Sequence, residues 1–193
     1  MENKPFVKFA FPTVVFLVLM AVWGRGRIYL LPFLAALLHE LGHFFVMLIC
    51  RQPIRQITVL PFGIDIKKAP HISSYIADIA VSSAGIIVNV LMVVLCRSLP
   101  ESTNVEFFMQ SNLVLFLINI IPIKSLDGGQ ILEKILLLFL APDTVEKIVE
   151  VCSFVCILLV GSVAVWVFFY SGYNFTLLFM CMYLFAGAFL KKV

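Results

Sequence analysis

Six stretches of this chain are apolar over lengths that approach the width of a bilayer: residues 7–23, 28–50, 72–96, 107–121, 147–170 and 173–190. A helix needs about 20 residues to cross a hydrocarbon core about 30 Å thick, and backbone in lipid must satisfy its own N–H and C=O groups. The pattern therefore restricts the fold to packed transmembrane helices. Composition agrees, since 62% of the 193 residues are hydrophobic and 13% charged, more apolar surface than a soluble core of this size can hide. No repeat, low-complexity tract or linker interrupts the chain. We expect one all-α polytopic membrane domain over residues 1–193, with about six transmembrane helices.

Lys4 and Lys8 before the first apolar run resemble the start of a signal peptide, but Trp23-Gly24-Arg25-Gly26-Arg27 offers no small-residue cleavage site. The run is expected to stay as a helix. Six crossings put both termini on one side. Eleven of the 14 Lys and Arg residues, from Lys4 and Lys8 to Lys191 and Lys192, then share that side, and Arg25, Arg27 and Arg97 lie opposite. Basic loops stay in the cytosol, so both termini are expected there, in a multi-pass protein of the cell membrane. The net charge of +3 is this topological bias and implies no nucleic-acid partner. Cys50, Cys96, Cys152, Cys156 and Cys181 lack the spacing of a disulfide framework or zinc ribbon and read as small apolar fillers.

Residues 54–68 break the helical pattern. They are rich in β-branched residues, partly alternate, and carry Pro61 and Gly63 at the centre, which predicts a short membrane-associated β-hairpin. Such a hairpin is tolerated beside lipid only where protein or water satisfies its edge, so it is expected to line a cavity.

The second apolar segment contains His39-Glu40-Leu41-Gly42-His43. Two histidines four apart share a helix face and can both reach one zinc ion, while the intervening glutamate misses the metal and can take a proton from water. The five-residue pattern alone recurs in unrelated proteins. Here it lies inside an apolar segment, where each ionisable group costs several kcal/mol without a partner or a function. A catalytic zinc usually has three protein ligands. His71 reads as a surface residue at the cytosolic entrance to the third segment, whereas Asp127 follows a short fourth segment broken at Pro122 and precedes Gly128-Gly129. Broken helices in membranes present polar groups to ions, which favours Asp127. The competing reading makes Asp127 the N-cap of a helix over about 130–140.

These two motifs resemble those of the site-2 proteases, a family of intramembrane zinc metalloproteases. His39 to His43 matches their HExxH signature, and Asn119, Pro122, Leu126, Asp127 and Gly128 match their Asn-x-x-Pro-x-x-x-Leu-Asp-Gly signature. The likeness covers roughly residues 28–135, including Leu60-Pro61-Phe62-Gly63 and Ala84-Gly85 followed by Asn89. It is greatest to the branch containing the stage IV sporulation protease FB. The resemblance implies one zinc ion held by His39, His43 and Asp127, Glu40 as the base, and Asn119 near the active site, where its amide can donate to the substrate or oxyanion or else make an ordinary interhelical hydrogen bond. Gly85 and Asn89 are expected to give structural support through close packing and a polar helix contact. Ile86 stands where many relatives have proline, which leaves the local kink open. No attached nucleotide-sensing or PDZ domain is expected.

The expected activity is hydrolysis of a peptide bond in or near the transmembrane segment of a membrane-bound precursor, a sporulation or regulatory factor, with regulatory membrane proteins as further partners. A metal transporter would spread its acidic and histidine residues over several helices, whereas only three histidines occur here. A noncatalytic scaffold would have no need of Glu40.

Overall fold

The computed structural model describes residues 6–9, 26–52, 54–60, 63–68, 74–171 and 175–190. His71 and most of the first apolar run, from residue 10 to residue 23, lie outside them. The chain divides into two compact units, Met1–Leu117 and Ile118–Val193.

The first unit contains strand β1 (Phe6–Phe9), helix α1 (Gly26–Ile49), strands β2 (Ile54–Leu60) and β3 (Gly63–Lys68), helix α2 (Tyr75–Arg97) and most of helix α3 (Thr103–Asn119). The strands form one sheet in the order β1-β2-β3. β2 and β3 run antiparallel, with Ile57 opposite Ile66 and Leu60 opposite Gly63, and β1 pairs parallel to β2 from Phe6 opposite Gln56 to Phe9 opposite Val59. The helix expected over 7–23 therefore does not extend to its first residues. An apolar run without period fits a covered strand as well as a helix, and pairing with β2 decides these four positions.

α1 and α2 approach closely because small residues face each other. A Cβ on Gly42 would stand 2.8 Å from Val88 Cγ2 and 3.0 Å from the Ala84 carbonyl oxygen. In lipid, where apolar burial gives no drive for helix association, such close approach is what holds two helices together. Arg51, at a φ of 51°, closes α1. Its N–H donates to the Leu48 carbonyl and that of Gln52 to the Met47 carbonyl, the paired bonds of a Schellman cap. Gln52 is buried, and its side-chain amide donates to buried Asp78 in the first turn of α2 at 2.9 Å.

The second unit contains helix α4 (Asp127–Leu137), helix α5 (Pro142–Tyr170), helix α6 (Thr176–Phe185) and a π-helical turn, Ala186–Leu190. Ile123, Ile157 and Leu184 form its buried core, flanked by Ile121, Leu126 and Met180.

Three helical stretches among the described residues are long and apolar enough to cross a membrane: Leu30–Ile49, Tyr75–Arg97 and Pro142–Tyr170. The expectation of six spans is not met on this measure. α3 has 17 residues and α6 has 10, so each is short of a crossing as a regular α-helix. The three long helices expose large apolar side chains, including Phe45, Leu91, Leu159, Trp166 and Phe169. Lipid is the solvent that accepts such a surface.

Candidate metal centre

The helical period brings His39 and His43 to one side of α1, and both are buried. Their Nε2 atoms are 3.1 Å apart. Each ring is also held at its other nitrogen by α2: His43 Nδ1 lies 2.7 Å from the Val81 carbonyl oxygen, and His39 Nδ1 lies 3.0 Å from Asn89 Nδ2. A carbonyl oxygen only accepts, so His43 Nδ1 carries a hydrogen and, in the neutral ring, His43 Nε2 presents a lone pair.

Gly85 makes room for this pair. A Cβ there would stand 2.5 Å from both His39 Cε1 and His43 Nε2, and 2.7 Å from His39 Nε2. α2 nevertheless runs unbroken through Gly85 and Ile86.

These residues fit a zinc ion. Two nitrogens bound at about 2.0–2.1 Å in a tetrahedral set lie roughly 3.3 Å apart, close to the observed separation. The Val81 carbonyl accepting at the far nitrogen of His43 is the arrangement that orients a histidine ligand, and Asn89 holds the far nitrogen of His39. Glu40 follows His39 in α1 and is half-buried.

In the second unit, α4 begins at Asp127, and the residue in the N-cap position is Leu126, which offers no side-chain cap. Asp127 is therefore not the N-cap, and its helix starts about three residues earlier than expected. As the first helical residue, its carboxylate is favoured by the positive end of the helix dipole. It is buried. The backbone before it is irregular but satisfied. Ile123 N–H donates to the Ile121 carbonyl at 2.8 Å, Leu126 N–H to the Ile123 carbonyl at 2.8 Å, and Lys124 N–H to Ser153 Oγ at 2.9 Å. Ser153 is fully buried in α5 and donates in turn to the Val149 carbonyl at 2.6 Å. Gly128 and Gly129 let this backbone fold back on α4, since a Cβ on Gly128 would overlap the Ile120 carbonyl and one on Gly129 the Ile123 carbonyl. Asn119 ends α3 and is half-buried.

Two participants escaped the sequence reading. Val81 acts through its backbone oxygen, which no side-chain pattern reveals. Ser153 did leave a signal, as a polar residue in the apolar run 147–170, and only its bond to Lys124 shows what that polarity is for.

No protein-family profile matches the chain, and no curated protein does. Among solved structures, the fold is similar to that of the site-2 protease from Methanocaldococcus jannaschii, with a TM-score of 0.63 and 22% identity over 97% of this chain and 90% of that one.

Proposed function

We propose that the chain is an intramembrane zinc metalloprotease of the site-2 type. The observation that carries this reading is the pair of buried imidazoles converging at 3.1 Å inside a membrane-length helix, each anchored at its far nitrogen. The likeness of fold to a site-2 protease supports it, and so do the two sequence motifs. His39 and His43 supply two ligands, and Asp127, on a broken helix as the motif requires, supplies the third.

Zinc held by these residues provides a Lewis acid that polarises the scissile carbonyl and acidifies water. Glu40, adjacent to His39 but outside the ligand set, takes the proton from the attacking water and delivers it to the leaving amine. The C–N bond breaks, the water oxygen stays on the new carboxylate, and no nucleotide is consumed. Asn119 donates its amide to the substrate or to the developing oxyanion.

The substrate is a membrane-bound protein, and the lipid bilayer and regulatory membrane proteins are the other partners. A transmembrane helix hides its carbonyls in internal hydrogen bonds, so the cut segment must first be extended. The hairpin of β2 and β3 receives it as an added strand; β2 already has neighbours on both sides, which leaves the outer edge of β3 for this pairing. α3, α6 and the first apolar run, 7–23, bring the three long helices to six crossings, with both termini in the cytosol. A sporulation precursor is the substrate class that the motif resemblance favours.

The test is co-expression with candidate membrane-bound precursors. Glu40→Gln is expected to cut turnover by about 10²–10⁴-fold while zinc content stays near that of the parent, because the base is not a ligand. His39→Ala, His43→Ala and Asp127→Ala should each lose zinc and cleavage together. Substantial turnover by Glu40→Gln would refute the mechanism.

A further inference from the structure

With both rings neutral, one set of protons satisfies the contacts with Val81 and Asn89 and the contact between the two rings. Val81 fixes the hydrogen of His43 on Nδ1, so the hydrogen shared across the 3.1 Å contact belongs to His39 Nε2. His39 Nδ1 is then a bare acceptor, and Asn89 Nδ2 donates to it at 3.0 Å. Asn89 is wholly buried, and its carbonyl oxygen has no hydrogen-bond partner among the described residues.

That arrangement suits a metal-free centre only. A metal ion at His39 Nε2 needs the lone pair there, so the hydrogen must move to Nδ1, where the group facing it must now accept. Asparagine can meet both demands, because rotating its amide about χ2 exchanges NH₂ for C=O at one position. From this geometry we infer that Asn89 is a positioning residue that sets the tautomer of His39, donating to Nδ1 without metal and presenting its carbonyl oxygen to Nδ1–H when metal is bound. His39 loses one hydrogen at Nε2 and gains one at Nδ1, so its charge is unchanged. The buried carbonyl oxygen is thereby explained: it is the acceptor held for the loaded state. The metal-bound half of this inference rests on the zinc reading above, and the metal-free half does not.

The alternative is that Asn89 merely packs α2 against α1, and two substitutions separate the readings. Asn89→Leu keeps the volume and removes the hydrogen bonds, whereas Asn89→Asp keeps an acceptor and removes the donor. Zinc affinity of the full chain in detergent is measured by competition with a chromophoric chelator, with His39→Ala as reference. Asn89→Leu should weaken zinc binding by about 10–100-fold, and Asn89→Asp should stay within about threefold of the parent. A packing role predicts the reverse, since leucine suits an apolar contact better than a carboxylate does. Equal affinity for Asn89→Leu and the parent, or equal losses for Leu and Asp, would overturn the inference.

The second readout needs no metal. The chain has three histidines, so selective ¹⁵N labelling with long-range proton correlation can assign the His39 tautomer at a pH where the rings are neutral. Metal-free parent should carry the hydrogen on Nε2, and Asn89→Asp should move it to Nδ1. A parent already protonated on Nδ1 would overturn the proposal. If the parent and His39→Ala held zinc equally poorly, the zinc reading would fail, and this tautomer measurement would decide the role of Asn89.

Discussion

His39 and His43 stand on an unbroken helix, whereas Asp127 stands where a helix has been interrupted. In α1 the period of the helix aims the side chains, and small residues at 42, 84 and 85 bring α2 close enough to hold the far side of each ring. Before α4 no such period exists. Asp127 is aimed by a turn around Pro122, by backbone bonds at Ile123 and Leu126, and by Ser153 taking the N–H of Lys124. The helix pair is sensitive to volume, because nothing can be added between the rings and α2. The broken segment is sensitive to hydrogen bonding, because each irregular N–H needs its own acceptor.

This contrast can be broken first at Gly85. Gly85→Ala places a methyl against both imidazoles, and overpacking of roughly 1–3 kcal/mol corresponds to about 5–150-fold weaker zinc binding, measurable by chelator competition. Zinc affinity equal to the parent's would mean that the rings do not need this gap.

Ser153→Ala tests the other half, with a smaller expected effect. It strips the acceptor from Lys124 N–H, which should cost about 1–3 kcal/mol in thermal unfolding while weakening zinc by only a few-fold, since the backbone can shift part of the way. A zinc loss as large as that of Gly85→Ala would show that the two halves are not held by different means.

The smallest effect sharpens the comparison. Gly161 lies inside α5, with nothing among the described residues within 4 Å of where a Cβ would stand. Gly161→Ala should leave zinc affinity unchanged and stabilise the helix by up to about 1 kcal/mol, read as a modest rise in Tm. Damage there comparable to that at Gly85 would imply that any added methyl disturbs these helices.

The long helices and the candidate metal site were legible in the sequence to different depths. The runs 28–50, 72–96 and 147–170 lie within a few residues of α1, α2 and α5, because apolar length alone marks a membrane helix. The runs 107–121 and 173–190 were also read as crossings but correspond to helices too short to count as spans, and hydropathy carries no information about where regular backbone stops. The spacing of His39 and His43 is local and therefore readable. The reason for Gly85 is not local, since it depends on which residue of α2 lies over the rings. Asn89 carried the same ambiguity: its sequence position fits helix packing, and only the 3.0 Å contact with His39 assigns it to the ring.

The bond between Gln52 and Asp78 has a mechanical consequence. Gln52 belongs to the cap that ends α1, and Asp78 to the first turn of α2, so together they pin the sliding position of one rod against the other. A slip of one residue along a helix moves it about 1.5 Å and turns it by about 100°. Such a slip would carry the notch at Gly85 away from the rings and bring in the side chain of Ala84 or Ile86. The pin therefore works as the stop on a vernier, in which a polar contact seven residues before Gly85 keeps the notch aligned with the two imidazoles.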